Sequence, residues 1–169
     1  MLFPTHLVVA AGIGVAARLR TASSMGTASQ PPLSIGWLVV GAALPDLIDK
    51  PLGMAGLTGL YHSVGHSALV LPAMVVVALA SRRGLALAVG WGSHLFLDPL
   101  HVVINGRPSD ALSLGWPLVA PPNPPAIPPG EFVWFYLGSP SFYLEVVLWL
   151  AVGGLVMWSL RRRASDTPN

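Results

Sequence analysis

The sequence predicts an all-α fold: a polytopic membrane bundle of about five transmembrane helices, with the N-terminus outside and the C-terminus cytoplasmic. Only 9% of the 169 residues are charged, whereas soluble domains carry about 25% charged residues. The mean hydropathy is +0.66. A soluble domain of this size must cover a large surface with polar groups, and disordered chains are poor in apolar residues. The composition therefore excludes both of these classes.

The apolar residues fall into five segments that are separated by polar or proline-rich stretches. These segments span residues 2–17, 33–44, 62–80, 85–104 and 141–160, and each is predicted to be a helix. A helix needs about 20 residues to cross roughly 30 Å of hydrocarbon. The last three segments have about this length, whereas the first two are short for a span.

The stretches between these segments complete the domain organisation. Residues 53–61 are interrupted by glycines and are predicted to be a re-entrant loop or a short interfacial helix. Residues 105–140 are rich in proline and are predicted to be an extended loop outside the cytoplasm. Residues 1–163 are accordingly expected to form a single membrane-embedded domain, followed by a short polar cytoplasmic tail at 164–169.

The basic residues indicate how the chain is oriented. Five alternating spans place most of them on one side of the membrane: Arg18, Arg20, Arg82, Arg83, Arg161, Arg162 and Arg163. Only Lys50 and Arg107 fall on the other side. The positive-inside rule makes the arginine-rich side cytoplasmic, so the protein is expected to be a multi-pass protein of the cell membrane. A net charge of only +2 favours no nucleic-acid partner, and we expect none.

Ionisable side chains within the apolar segments are the most informative feature of the sequence, because such groups are costly in a membrane and usually functional. They are His6, Asp46, Asp49, His62, His66, His94, Asp98, His101 and Glu145. With a helical rise of about 1.5 Å per residue, most of them lie roughly 17 to 24 Å above the cytoplasmic helix ends. The sequence therefore predicts one polar layer between the midplane and the outer surface.

The fourth segment contains the sharpest local pattern. His94, Asp98 and His101 are spaced i, i+4 and i+7, which places them on one face of a helix. An imidazole and a carboxylate spaced in this way can converge on one cation. The same pair can instead form a hydrogen bond that holds two helices together, and the pattern alone leaves both interpretations open.

Acids and histidines also occur in the second and third segments. Asp46 and Asp49 are three residues apart and repel each other unless a cation or a proton lies between them. Alternatively, they mark a solvated helix end that is neutralised by Lys50. His62 and His66 are one helical turn apart at the start of the third segment. The chain has no cysteine, so disulfides, thiolate metal sites and cysteine catalysis are excluded.

Five short motifs in this order resemble a known family. They are Pro4-Thr5-His6, Leu44-Pro45-Asp46-Leu47-Ile48-Asp49, Gly65-His66-Ser67, Gly92-Ser93-His94-Leu95-Phe96-Leu97-Asp98 and Leu114-Gly115-Trp116-Pro117. The series is similar to the YdjM-like membrane-bound, metal-dependent hydrolases, also called LexA-binding inner-membrane-associated hydrolases. That family is considered a distant relative of zinc-dependent phospholipase C and single-strand nucleases.

The resemblance implies that the metal ligands are His6, Asp46, His66, His94 and Asp98, with Asp49 either a ligand or a partner of one. In this chain Tyr61 stands where the family has the first histidine of its His-Arg-Gly-x-Thr-His-Ser run, so His62 is a weaker candidate ligand. His101 and Glu145 are weaker candidates on chemical grounds only.

We therefore expect a membrane-bound, metal-dependent hydrolase that acts on a phosphate ester or lipid-like small molecule at the outer membrane face. Imidazole and carboxylate ligands without sulfur suit zinc best, and also manganese or iron. Whichever of Asp46 and Asp49 is not a ligand is expected to act as the catalytic proton acceptor. The alternatives are a metal-ion or proton transporter and a non-catalytic structural bundle. The oligomeric state is left open.

Overall fold

The computed structural model describes residues 2–23, 31–123 and 127–165, and all regular structure in these residues is helical. The six α-helices are α1 (Phe3–Ser23), α2 (Ile35–Met54), α3 (Leu71–Ala80), α4 (Arg82–Ile104), α5 (Pro129–Tyr136) and α6 (Pro140–Ser165). Two 3-10 helices, Ala68–Val70 and Pro108–Gly115, precede α3 and α5. The fold is therefore all-α, as the sequence predicts.

Close packing of α2 against α4 forms the centre of the fold. A Cβ atom at Gly41 would overlap the carbonyl of Leu87, and one at Gly90 would overlap the carbonyl of Leu38. Ala42 is fully buried beside them. Small residues at such a crossing let two helix backbones approach closely, a packing mode that is common in membrane proteins.

Helices α1 and α3 pack on either side of this pair. Gly14 allows α1 to approach α2, since a Cβ there would lie 2.6 Å from Cγ1 of Ile35. Helix α3 is joined to α4 by Ser81 alone, whose hydroxyl accepts a hydrogen bond from the backbone N–H of Gly84 at 2.9 Å and so caps α4. The polar C-terminal parts of α2 and α4 lie at the same end of the bundle, where Asp46 and His94 come close together.

Helix α6 is attached mainly through its N-terminal end. Asn105 Nδ2 donates to Ser141 Oγ at 2.8 Å, and Trp149 Nε1 donates to Thr5 Oγ1 at 3.2 Å. Beyond this point α6 exposes large apolar side chains, with Leu150 71% accessible. A helix with so much exposed apolar surface needs an apolar environment or a partner.

Among the residues that the structure describes, two helices are long and apolar enough to cross a membrane, namely Arg82–Ile104 and Pro140–Trp158. The apolar stretch Ala68–Ala80 is shorter. In the α6 span, only 11% of the most apolar window is buried inside the protein. In the described part of the chain, helix length and composition therefore support two spans, fewer than the five that the sequence predicts.

Several element boundaries differ from those expected. Helix α2 does not end at residue 44 but continues through Pro45 and Pro51, because an internal proline removes one backbone hydrogen bond without ending every helix. Residues 53–61 contain the end of α2 followed by turns. The third segment becomes helical only at Ala68, so His62 and His66 lie in a loop and do not share a helix face.

The proline-rich connection is also more ordered than an extended chain. It contains the 3-10 helix Pro108–Gly115 and the helix α5, and each of these begins with a proline. A proline fits the first position of a helix because the N–H that it lacks would have no intrahelical partner there. In the C-terminal tail, α6 extends to Ser165, and residues 166–169 lie outside the described residues.

Candidate metal centre

Six side chains from four parts of the chain converge at one end of the bundle. His6 comes from α1, Asp46 from α2, His94 and Asp98 from α4, and His62 and His66 from the loop before α3. We call these six residues the His/Asp cluster. Three overlapping triads within it have potential ligand atoms within 4.8 Å of one another, so the cluster could hold a metal ion.

Three donor atoms form a compact triangle at the middle of the cluster. The Nε2 atoms of His66 and His94 are 3.0 Å apart. Asp98 Oδ2 lies 3.2 Å from Nε2 of His66 and 3.3 Å from Nε2 of His94. Zinc–nitrogen bonds of about 2.0–2.1 Å in a tetrahedral site place neighbouring donors roughly 3.3 Å apart. The spacing of this triangle fits a shared cation.

The outer nitrogen of each of these two histidines is held by an acceptor. His66 Nδ1 lies 2.7 Å from Oδ2 of Asp49, and His94 Nδ1 lies 2.7 Å from the carbonyl oxygen of Ala42. A carbonyl and a carboxylate can only accept, so each Nδ1 carries the hydrogen. In the neutral imidazoles both Nε2 lone pairs then point into the triangle. Metal-binding histidines are commonly held by such acceptors.

The other three members of the cluster surround this triangle. His6 Nε2 lies 3.1 Å from Oδ1 of Asp98, and the His6 ring stacks on His94 with centroids 3.8 Å apart. His62 Nε2 lies 3.4 Å from Oδ2 of Asp98, but its side chain is 47% exposed. Asp46 Oδ1 is 3.7 Å from His66 Nε2. The Asp46 carboxylate is therefore at the edge of the cluster.

Asp49 holds the loop that carries His66. Besides the His66 imidazole, it accepts hydrogen bonds from the backbone N–H groups of Ser63 at 2.6 Å, Gly65 at 2.8 Å and His66 at 3.1 Å. The Ser63 hydroxyl donates to Oδ1 at 3.0 Å. Trp91 Nε1 donates to the carbonyl of Gly65 at 3.1 Å. The loop thus turns around a buried carboxylate.

Gly65 permits this loop to lie directly on α2. A Cβ atom at this position would be 2.7 Å from the carbonyl oxygen of Pro45, which is closer than real Cβ contacts. Any larger residue would push the loop away from α2 and move His66 with it. The glycine before His66 is therefore a requirement of the backbone geometry.

A cavity of about 350 Å³ adjoins the cluster. Its walls include five of the six cluster residues, whereas His94 lies buried behind them. The remaining walls are mostly apolar and include residues from the start of α1, the end of α4, the 3-10 helix Pro108–Gly115 and α5. Lys50 and Arg107 also line the cavity. Lys50 Nζ forms an ion pair with Oδ2 of Asp46 at 2.7 Å.

The remaining candidate ligands from the sequence, Asp49, His101 and Glu145, are not members of the cluster. Asp49 does not line the cavity and lies behind His66. His101 lines the cavity wall next to the Tyr136 ring, at 5.1 Å between centroids, and belongs to none of the ligand triads.

Glu145 lies in a separate polar contact between three helices. It accepts hydrogen bonds from Leu2 N at 3.0 Å, Thr5 Oγ1 at 2.8 Å and Tyr136 Oη at 2.7 Å. Burial, together with the Glu145 hydrogen bond, raises the pKa of Tyr136, so this phenol remains protonated and donates. Glu145 joins the start of α1 to α5 and α6, and it is not part of the cluster.

Some residues around the site were not found by reasoning from the sequence. The hydrogen-bond acceptor of His94 is the backbone carbonyl of Ala42. Every residue has such a carbonyl, so no residue type predicts this contact. Arg107 and the α5 side chains reach the cavity only because the proline-rich connection folds back over it. Residues 129–136 begin with a proline and continue with apolar side chains. This pattern could have predicted a helix that packs against the bundle.

Comparison with protein-family models, with curated protein sequences and with solved structures finds no match for this chain.

Proposed function

We propose that this protein is a multi-pass, membrane-bound, metal-dependent hydrolase of the YdjM-like type. In this proposal α1, α2, α4, α6 and the segment from Ala68 to the end of α3 cross the bilayer. The arginine-rich helix ends then face the cytoplasm, and the His/Asp cluster lies toward the outer face. The exposed apolar surfaces of α3 and α6 support this placement, since Leu79 is 83% and Leu150 71% accessible.

The observation that carries the proposal is the inward direction of the two Nε2 lone pairs. With both Nδ1 atoms held by acceptors, the Nε2 atoms of His66 and His94 face each other at 3.0 Å, and in the neutral imidazoles both carry lone pairs. The Asp98 carboxylate adds a negative charge within 3.3 Å of both. Such an arrangement in a buried site needs a positive charge at its centre: either a proton on His66, whose pKa is raised to about 9 by hydrogen bonds to Asp49 and Asp98 against the cost of burial, or a bound cation. A divalent cation supplies that charge without protonating either histidine.

The chemistry of the donor set favours zinc, with manganese or iron as the next candidates. We propose that His66, His94, Asp98 and His6 hold the ion. When bound, such an ion supplies Lewis-acid chemistry, because it polarises a substrate oxygen and makes water more acidic. Asp98 offers one carboxylate oxygen to His6 and the other to His66 and His94, so it joins both sides of the site.

Asp46 is the proposed proton acceptor. It lies at the edge of the cluster and lines the cavity, where a water molecule and a substrate can approach it. Its ion pair with Lys50 at 2.7 Å fixes the orientation of the carboxylate. Asp49, in contrast, is fully buried and accepts five hydrogen bonds. We propose that Asp49 positions His66 and does not touch the substrate.

The distribution of polar residues favours a hydrolase over a transporter. Between the cluster and the arginine-rich ends, the described stretches 7–17, 35–45 and 84–93 contain no Asp, Glu, Lys, Arg or His. A transport path needs polar groups on both sides of the membrane midplane. A site that is polar at one face only is suited to reaction at that face.

The test is elemental analysis of detergent-purified protein, combined with hydrolysis assays on a panel of phosphate and carboxylate esters. We expect about one or more zinc, manganese or iron ions per chain and hydrolysis of at least one ester. Asp98→Asn should lose both. Asp110→Asn provides the matched control for metal retention, because Asp110 lines the same cavity but lies outside the cluster. Protein that folds but never retains a metal ion, or that retains it without hydrolysing any ester, would refute the proposal.

A further inference from the structure

Helix α6 holds the start of α1 through two side chains that are one helical turn apart. Glu145 Oε2 accepts a hydrogen bond from Thr5 Oγ1 at 2.8 Å, and Trp149 Nε1 donates to the same Thr5 oxygen at 3.2 Å. An indole N–H can only donate, so the Thr5 oxygen receives the hydrogen of Trp149 and donates its own hydrogen to Glu145. Residues i and i+4 lie on one face of a helix, and here that face binds a single, fully buried hydroxyl.

The carboxylate of Glu145 also completes the first turn of α1. The N–H groups at the start of a helix have no partners within that helix. Glu145 Oε1 accepts a hydrogen bond from the backbone N–H of Leu2 at 3.0 Å, and Leu2 directly precedes Phe3, at which α1 begins. The helix dipole favours a carboxylate at this end. Glu145 therefore fixes both the backbone and a side chain of the first turn.

His6 directly follows Thr5 and depends on this turn for its position. His66 and His94 each have an acceptor at Nδ1, whereas Nδ1 of His6 has no hydrogen-bond partner among the described residues. The His6 ring meets the cluster through the contact of its Nε2 with Asp98 and by stacking on His94. With no acceptor on its outer nitrogen, the ring is placed by the backbone of α1.

A metal site tolerates only small displacements of a ligand. Zinc–nitrogen bonds are about 2.0–2.1 Å long, and ligand distances depart from such values by only about 0.2 Å. A shift of the first turn of α1 by roughly 0.5 Å would therefore take His6 Nε2 out of bonding range. His66 and His94 would not move with it, since they lie on the loop before α3 and on α4.

We propose that Glu145 is a positioning residue of the metal centre, which acts through Thr5 to hold His6 at the ion. This inference rests on the proposed metal-dependent function and adds a requirement outside the cluster. Glu145 itself touches neither the ion nor the substrate. The described residues of α6 include no member of the cluster, so the part of α6 in the site is to place a ligand that α1 carries.

The test measures binding of Co²⁺ to the full chain in detergent, after a chelator has removed any resident metal. The visible absorption of Co²⁺ reports the number and arrangement of its ligands. Thr5→Val removes the hydroxyl but retains the shape of the side chain. It should change the spectrum and weaken Co²⁺ binding by about tenfold, as loss of an outer partner of a ligand does. Thr5→Ser retains the hydroxyl and should behave like the unaltered protein.

Tyr136→Phe is the matched control. It removes the hydrogen bond from Tyr136 Oη to Glu145 Oε1 but leaves the bond between Glu145 Oε2 and Thr5. Its Co²⁺ spectrum should be that of the unaltered protein. Glu145→Met removes both acceptor oxygens and should change the spectrum as Thr5→Val does. If this buried replacement prevents folding, Thr5→Val and Thr5→Ser carry the test.

A double variant shows whether the effect passes through His6. In a His6→Ala protein, the addition of Thr5→Val should change the Co²⁺ dissociation constant by less than about twofold, because the ligand that Thr5 positions is absent. An equal loss of affinity with and without His6 would show that Thr5 supports the whole bundle, and would overturn the inference. An unchanged spectrum in Thr5→Val would overturn it as well.

These outcomes are separate from those that test the proposed function. If Thr5→Val binds Co²⁺ as the unaltered protein does, and the protein retains its own metal and hydrolyses esters, Glu145 has no positioning role and the proposed function stands. If the unaltered protein binds no Co²⁺ and retains no other metal, the proposed function fails and this inference fails with it.

Discussion

Replacement of Asp49 by asparagine tests the link between the His66 loop and the proposed metal centre most directly. The side chains have nearly the same shape, but asparagine has no charge and only one acceptor oxygen. If that oxygen takes the Oδ2 position, three of the five hydrogen bonds remain. The amide nitrogen then faces the N–H of Gly65, whose bond to Oδ1 is lost, and the hydroxyl of Ser63, which can rotate to accept a hydrogen bond from the amide.

The expected loss of stability follows from the lost Gly65 bond together with the loss of the carboxylate charge at the remaining bonds. Hydrogen bonds to charged groups contribute about 1.5–3 kcal/mol each, so Asp49→Asn should lower the free energy of unfolding by about 3–6 kcal/mol. It should also weaken metal binding by about 10- to 100-fold, which is typical when the outer partner of a histidine ligand is changed. Denaturant titration in detergent micelles measures the first effect, and chelator competition measures the second.

Ser63→Ala separates support of the loop from support of His66. It removes one hydrogen bond to the same carboxylate but leaves the contact between Asp49 and the His66 imidazole. We expect a smaller loss of stability and a metal affinity within about twofold of the unaltered protein. If Asp49→Asn is destabilised yet also keeps its metal affinity within twofold, Asp49 holds the loop only and the reasoning about His66 is wrong.

Two further substitutions test how the bundle is assembled. Gly90→Ala should lower stability by about 1–3 kcal/mol, because its methyl group overlaps the facing helix, and it should also weaken metal binding. Gly92→Ala is the control on the same helix and should do neither, because a methyl group there meets open space. Tyr136→Phe removes a hydrogen bond to the buried Glu145. It should lower the free energy of unfolding by about 1–3 kcal/mol without changing metal content. Tyr143→Phe, at an exposed position, should change neither stability nor metal content. Metal content that falls with Tyr136→Phe would show that α5 supports the cluster.

The heights of the polar residues could be predicted from the sequence, because the rise of a helix is nearly constant. His6, Asp46, His94 and Asp98 were expected in one layer, and the structure brings them together. The direction in which a side chain points around the helix axis depends on packing, which one sequence does not reveal. Glu145 therefore has the right height but meets Thr5 and Tyr136 instead of the cluster.

Boundaries near prolines were harder to predict. Proline was expected to end α2, yet the helix continues past Pro45 and so carries both Asp46 and Asp49 on one regular element. The opposite error occurred at residues 62–67, which were expected to begin the third helix. The buried carboxylate of Asp49 binds the N–H groups of this segment, which stabilises a loop, and such tertiary bonds leave no local pattern.

The small residues between α2 and α4 connect the fold to the chemistry of the site. Gly41 and Gly90 allow the two helix backbones to touch, and this approach brings the carbonyl of Ala42 within 2.7 Å of His94 Nδ1. That hydrogen bond fixes which nitrogen of His94 carries a proton, and hence directs the Nε2 lone pair toward His66. In the sequence, Gly41 and Gly90 look like ordinary helix-packing glycines. In the structure they determine which nitrogen of His94, a candidate ligand, carries the hydrogen. Any substitution that separates α2 from α4 should first release His94 from the Ala42 carbonyl and then weaken the proposed metal centre.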